Sequence, residues 1–408
     1  MLLSYSVENY KSFKEKCEIS FHAIAKNEGS KAVDLLECPK YTKHGVVSSA
    51  MIFGANAAGK SNFLKSLKRF CYVAVSSLSK PLTDKLPAAS FKLDPKYRTE
   101  PSCFDIDFIA GDGVRYVYEL SFDQEQITHE ALYCYPEGRE RMLFKRETHD
   151  GKAYVKFGTT LKGERKLSEK NTREDATFLS TATQYETFSQ LLPVYNYLEE
   201  LIKFSDSKEL LVDYKEIMQT RLCDFGAGEV ELALEKKEIP PEGRAVFQAL
   251  KNTLISGGVD IDEDNFDEIT MVVFKRKDLN GDLIKFEEYE ESSGTRKLLG
   301  QLPIILDALE KGTIAVIDEI DENIHTSVVQ QIIAWFNSKE TNPKGAQLLA
   351  TLHDTNVLNC NYIRKDQVYL VEKNNNMSNL YALIDFKTRT KNFEKSYLEG
   401  RYGAIPML

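Results

Sequence analysis

The chain has 408 residues, enough for two or three domains, and its 42% hydrophobic content is enough for sizeable cores. A formal net charge of −9 argues against a wholesale coat of nucleic acid, although residues 1–70 lean basic through Lys11, Lys14, Lys16, Lys26, Lys31, Lys40, Lys43, Lys65, Lys68 and Arg69. Seven scattered cysteines with no C-x-x-C pair suggest neither a zinc site nor a disulfide framework and fit a reducing cytoplasm. No apolar run approaches the roughly eighteen residues of a membrane span, and the N-terminus becomes charged too soon for a signal peptide.

In chain order, Leu2 to Val7 and Cys17 to Ile24 are strand-like and are joined by Asn9-Tyr-Lys-Ser-Phe13. The apolar strand Ala50-Met-Ile-Phe53 then runs into Gly54-Ala55-Asn56-Ala57-Ala58-Gly59-Lys60-Ser61, which matches the phosphate-binding pattern G-x-x-x-x-G-K-[ST]. Asn62 follows, and Phe63, Leu64, Leu67, Phe70 and Cys71 fall on one face of a helix. This strand–loop–helix setting lets backbone N–H groups cradle phosphates at the positive end of a helix. Lys60 would reach the β- and γ-phosphates of ATP, and the Ser61 hydroxyl would ligate Mg²⁺.

Pro81, Pro87, Pro95 and Pro101 mark an irregular connection. Residues 100–160 then carry hairpin signals. Phe104, Ile106 and Phe108 alternate with polar residues, Asp112-Gly113 supplies a turn, Val114 to Phe122 alternate again, and Asp150-Gly151 marks a second hairpin. Residues 165–260 are expected to form a helical insertion, interrupted at Pro193 and restarted at Pro240-Pro241. Strands resume at Glu268 to Phe274 and Leu283 to Phe286.

The stretch Thr313-Ile-Ala-Val-Ile317 is a buried strand ending in Asp318 and Glu319, the form of a Walker B element. Asp318 would hold Mg²⁺ and Glu319 would orient and polarise the attacking water. Upstream, Ser293-Gly294-Thr295-Arg296 opens a helix whose small-residue start suits an anion. It resembles the signature motif of ABC-type ATPases, which closes in trans on the nucleotide held by another subunit, although Thr295 and Arg296 replace the usual glycine and glutamine. The apolar strand Leu348 to Leu352 ends in His353, similar to the switch histidine that contacts the γ-phosphate in that class. His325 stands where the D-loop aspartate would be, which implies a place at a dimer interface. No glutamine suited to a Q-loop stands between the phosphate-loop helix and the first hairpin.

This order of motifs resembles the ATPase heads of the SMC, RecF and OLD families. The Lys11-Ser12 pair in Glu8-Asn-Tyr-Lys-Ser-Phe13 is similar to a turn that lies near the nucleotide in those heads. The loop, the signature, Asp318-Glu319 and the tail Tyr397-Leu-Glu-Gly-Arg-Tyr-Gly-Ala-Ile-Pro406 together look like the abortive-infection ATPases grouped with RloA, AbiL and the PARIS ATPase. The resemblance implies an α/β P-loop NTPase of the ABC-ATPase (SMC/RecF-like) head type with an antiparallel β lobe and a helical insertion. The head would comprise 1–80 and 265–408, the lobe 100–160 and the insertion 165–260. It also implies a bacterial anti-phage sensor or scaffold that hydrolyses ATP between two copies of itself. Such a protein would control a separately encoded effector such as a nuclease, because the residues after His353 cannot hold the Toprim nuclease of OLD-type proteins. DNA or a phage trigger protein would be a further partner, with no membrane involved. The alternative is a RecF- or SMC-like ATPase that binds DNA directly.

Overall fold

The structure is a computed structural model that describes residues 1–26, 33–81, 83–149, 152–184, 188–203, 207–240, 244, 268–359, 362–387 and 392–405. The strands are β1 (Leu2–Glu8), β2 (Cys17–Ser20), β3 (Ser49–Phe53), β4 (Ser102–Ile109), β5 (Arg115–Phe122), β6 (Ile127–Tyr135), β7 (Arg141–His149), β8 (Lys152–Phe157), β9 (Glu231–Glu238), β10 (Glu268–Lys277), β11 (Leu283–Glu287), β12 (Ile314–Ile317), β13 (Gln347–Thr351), β14 (Val368–Asn374) and β15 (Met377–Ala382). The helices are α1 (Lys60–Ser76), α2 (Arg165–Asn171), α3 (Phe178–Gln184), α4 (Leu192–Lys203), α5 (Ser207–Leu222), α6 (Ser293–Lys311), α7 (Thr326–Asn337) and α8 (Phe393–Leu398). They form two compact units, one of residues 1–80, 85–205 and 307–408, the other of residues 81–84 and 206–306.

The first unit holds two sheets. One has the order β12-β13-β3-β14-β15; its first four strands are parallel and β15 returns antiparallel. β3, β12 and β13 are buried along their whole length, as strands covered on both faces must be, so they read as unbroken apolar runs. α7 packs on β3 and β13. At the start of β3, Ser48 and Ser49 donate to Asn337 Oδ1 at 2.8 and 3.0 Å, and Gln367 Nε2 donates to the same oxygen at 2.9 Å. That network satisfies polar groups that burial would otherwise penalise.

The other sheet is antiparallel, in the order β2-β1-β4-β5-β6-β7-β8. β4 and β5 alternate buried and half-buried positions, the pattern their sequence predicts. The lobe is larger than residues 100–160, because β1 and β2 join it. Leu2 N–H donates to Gln347 Oε1 at 2.6 Å and Gln347 Nε2 donates to Leu2 O at 2.9 Å, tying this sheet to the foot of β13. The apolar stripe of α1 packs on it through Tyr5–Phe63, Phe70–Phe104 and Phe70–Tyr118 ring pairs 5.5, 6.0 and 5.7 Å apart.

The expected insertion divides differently. α2, α3 and α4 belong to the first unit. Glu130, fully buried, accepts from Phe178 N–H at 2.6 Å, Leu179 N–H at 3.0 Å and Tyr118 OH at 3.0 Å, so a carboxylate of the sheet receives the first N–H groups of α3. Buried Arg146 stands 3.7 Å from Glu130 and donates to the carbonyls of Ala176, Arg173 and Glu174. Pro193 does not break a helix; it is the second residue of α4, where no intrahelical N–H is required.

The second unit contains α5, the antiparallel sheet β11-β10-β9 and the start of α6. β9 overturns a helical expectation. Glu231-Leu-Ala-Leu-Glu-Lys-Lys-Glu238 is rich in helix formers, yet it pairs residue by residue with β10, whose Val272, Val273 and Phe274 favour a sheet. The turn at Asp150-Gly151 and the helix expected from Pro240-Pro241 lie outside the described residues. Among the described residues, no helix is long and apolar enough to cross a membrane.

Removing Arg146 would leave a buried carboxylate and three carbonyls without their partner. Arg146→Ala should cost about 3–5 kcal/mol of stability, read as a lower midpoint in urea unfolding. Unfolding at the wild-type midpoint would show that the pair is energetically idle.

Candidate nucleotide site

Because β12, β13, β3 and β14 are parallel, their carboxyl ends emerge at one edge of the sheet, the position where open α/β sheets hold ligands. The loop after β3 turns there into α1 at Lys60. Close approaches force both of its glycines. A Cβ on Gly54 would run into the Val371 carbonyl oxygen of β14. Gly59 has φ +123°, and a Cβ there would strike Ser378 Oγ and lie 3.1 Å from Ser12 Oγ. Ser378 also donates its hydroxyl to Ala58 O and its N–H to Ser12 O at 2.7 Å, while Asn62 Nδ2 donates to Ser12 Oγ at 3.0 Å. The loop is thereby clamped between Ser12 and the β14–β15 hairpin. Ala55 to Asn62, with Glu319, His353 and Lys373, line a cleft of about 500 Å³.

Lys60 is 4% exposed. Its ammonium donates to Gly54 O at 2.6 Å and Ala55 O at 3.2 Å, and lies 3.4 Å from His353 Nδ1. Burial pushes its pKa below the usual lysine value, while Asp321, then Glu319 and Asp318, pull the other way. The loop carbonyls thus hold the charge that a bound phosphate would take over.

Asp318 and Glu319 follow β12 directly. Asp318 Oδ1 accepts from Ser61 Oγ at 3.1 Å and from Thr351 Oγ1 at 2.6 Å, and Thr351 Oγ1 in turn accepts from Glu319 N–H at 2.7 Å. One hydroxyl on β13 therefore fixes both acids. It also holds Glu319 in a left-handed backbone conformation, φ +53°, of the strained kind found at functional positions. His353 Nε2 lies 3.5 Å from Glu319 Oε1. An ammonium can only donate, so the contact with Lys60 makes His353 Nδ1 the acceptor and leaves the ring proton on Nε2, toward Glu319. Asp321 Oδ2 accepts from the N–H groups of His353, at 2.7 Å, and Asp354, which pins the histidine loop. Its Oδ1 is buried without a hydrogen bond. The Ser61 hydroxyl and Asp318 carboxylate form an all-oxygen pair that fits Mg²⁺ and would hold it, the ion supplying charge neutralisation beside a triphosphate.

Lys60, Ser61, Asp318, Glu319 and His353, expected together, are together. Lys11 is not among the residues lining the cleft; its ammonium lies 5.7 Å from the Tyr10 ring centroid. His325 is exposed and caps α7 by accepting from Ser327 N–H at 3.2 Å. The signature belongs to the second unit, where Ser293 and Arg296 are exposed and Thr295 is buried. Ser292 Oγ caps α6 by accepting from Thr295 N–H at 3.1 Å. Arg276 of β10 fastens the stretch from behind with a bidentate pair to Glu291 at 2.9 Å. The sequence reading missed Thr351, Asp321, Ser378 and Arg276. Thr351 and Asp321 stood within three residues of the motifs, but only the three-dimensional arrangement shows what they hold.

Thr351→Val keeps the shape and removes the hydroxyl. It should lower ATP turnover about 10–100-fold while Thr351→Ser retains most of it, measured by phosphate release. Equal rates for valine and wild type would mean that the two acids position themselves.

Residues 49–359, from the phosphate-loop strand to just past the switch histidine, match the family described as "AAA domain, putative AbiEii toxin, Type IV TA system". No curated protein matches the chain. Among solved structures, the chain is similar to an SMC head bound to the C-winged-helix domain of ScpA, at 13% identity over 97% of this chain and 99% of that one, with a TM-score of 0.39. It is also similar to the recombination mediator RecF in the RecFOR pathway, at 13% identity over 94% and 98%, with a TM-score of 0.40. A third is an SMC head with an extended coiled coil bound to the C-terminal domain of ScpA from Pyrococcus furiosus, at 14% identity over 98% of each chain, with a TM-score of 0.37. Since that match spans well over half of the chain, from the phosphate-loop strand past the histidine strand, the chain belongs to that AAA-domain family.

Proposed function

We propose that this protein is the ATP-binding and ATP-hydrolysing sensor of a bacterial anti-phage, abortive-infection system, and that it controls a separately encoded toxic effector. The observation that carries the catalytic part is the convergence of Lys60, Ser61, Glu319 and His353 on one cleft, with Asp318 accepting from the Ser61 hydroxyl beside it. The family description, which names a toxin and a toxin–antitoxin system, supports the defence part.

In this reading Lys60 exchanges the Gly54 and Ala55 carbonyls for the β- and γ-phosphates of ATP. Glu319 orients the attacking water, and the neighbouring His353 N–H serves the terminal phosphate. The exposed Ser293 and half-buried Gly294 at the start of α6 cover the nucleotide of a second copy, and His325 lies at that junction. Binding then assembles heads, and hydrolysis or a phage protein releases the effector.

Glu319→Gln, expressed from its native locus and purified with ATP–Mg²⁺, should retain ATP, run as a stable multimer and carry a neighbouring toxic protein. A monomer at saturating ATP–Mg²⁺ would sink the paired-head reading. Phage challenge tests the role itself. Protection should disappear in Lys60→Ala, and a wild-type locus that protects against no phage would overturn the defence assignment.

A second reading, a DNA-binding maintenance ATPase, is favoured by one surface. Burial and repulsion from Lys65 and Arg69 push the Lys11 ammonium below its usual pKa, so three cations crowd together beside Tyr10. That reading predicts ATP-dependent retention of duplex DNA that weakens steeply with salt. No retention at low salt would remove it.

A further inference from the structure

We propose that Lys373 is a second phosphate-binding lysine, one that reads the terminal phosphate of the bound nucleotide from the side opposite the Walker B acids. This rests on the nucleotide reading of the cleft.

Strand order sets the geometry. The loop follows β3, with β13 and then β12 on one side and β14 on the other. Asp318, Glu319 and His353 approach from the β12–β13 side, whereas Lys373 approaches from the end of β14. Its position is built in rather than left to a loose loop. The β14–β15 hairpin closes at Asn375 and Asn376, both with φ above +45° in the left-handed region that asparagine tolerates. Lys373 is paired across the hairpin with Ser378, the residue bonded to Ala58 O and Ser12 O. Lys373 therefore sits on the same backbone clamp that shapes the phosphate loop.

Charge explains why a second lysine is needed. The buried Lys60 ammonium is already engaged by the Gly54 and Ala55 carbonyls before an anion arrives. Lys373 is the other lysine lining the cleft; it is exposed, and its side chain makes no ion pair or hydrogen bond among the described residues. It is the cation left over for a polyanion in a site otherwise rich in acids.

Its neighbours indicate which phosphate. A second cleft of about 810 Å³ adjoins the first, and Ala55, Asn56, Ala58, His353 and Lys373 line both. Lys373 thus shares a wall with His353 and the early loop residues. That is the end of the cleft where the last phosphate lies if His353 contacts it.

The test is equilibrium binding of ATP, ADP and AMP, each with Mg²⁺, to wild type, Lys373→Ala, Lys373→Arg and Lys60→Ala in the full chain. Thermal unfolding without nucleotide checks the fold. Lys373→Ala should bind ATP roughly tenfold more weakly with ADP changed less than about twofold, and Lys373→Arg should recover most of the loss. If wild type binds ATP and Lys373→Ala binds it equally well, the inference is overturned while the site stands. Equal weakening for ATP, ADP and AMP would also overturn it, because that pattern marks a distorted loop. Absence of ATP binding by wild type would remove the site and the lysine's role together.

Discussion

The parallel pairing of β12, β13, β3 and β14 is the constraint on which the rest depends. Antiparallel neighbours would send alternate carboxyl ends to opposite edges and scatter the motifs. Parallel register places the phosphate loop, the acids, the switch histidine and Lys373 at one edge, though they are separated by more than three hundred residues of chain. A parallel sheet needs cover on both faces, so its strands must be apolar throughout, and it needs long crossovers. Much of the remaining chain, including strands β4 to β8 of the antiparallel lobe and the second unit, lies within one such crossover, between β3 and β12.

Within that frame the site is held by hydrogen bonds that each serve two motifs. Thr351 joins Asp318 to the backbone of Glu319, Asp321 joins the Walker B loop to the histidine loop, and Ser378 joins the phosphate loop to the Ser12 turn. Cross-links of this kind set positions without using the reactive groups themselves, and they explain how Ala57 and Glu319 are kept at positive φ despite its cost. The buried ammonium of Lys60 is satisfied by the loop carbonyls of Gly54 and Ala55. A ligand phosphate therefore competes with groups already in place, which favours a polyanion over a single charge.

The signature shows a parallel economy in the second unit. Its exposed residues Ser293 and Arg296 stand at a helix start, and its support comes from Arg276 on β10 gripping Glu291. The N-terminal groups of α6 are thus presented by a small sheet rather than by a flexible connector.

The sequence by itself determined the candidate site motifs and the strands that carry them. The phosphate loop, Asp318-Glu319 and His353 are contiguous strings, each after an apolar run that can only be a buried strand, and local spacing encodes them fully. The alternation in β4 and β5 was equally legible, since one solvated face leaves a period of two. Tertiary structure alone decided the rest. β9 is composed of helix formers and became a strand because β10 offered pairing. Residues 165–203 joined the first unit because Glu130 and Arg146, buried in a distant strand pair, bind the chain before and at the start of α3. Thr351, Asp321, Ser378 and Lys373 gained their places through contacts between residues far apart in the chain. The energy of such contacts depends on which partner the fold delivers, and no periodicity or propensity records it.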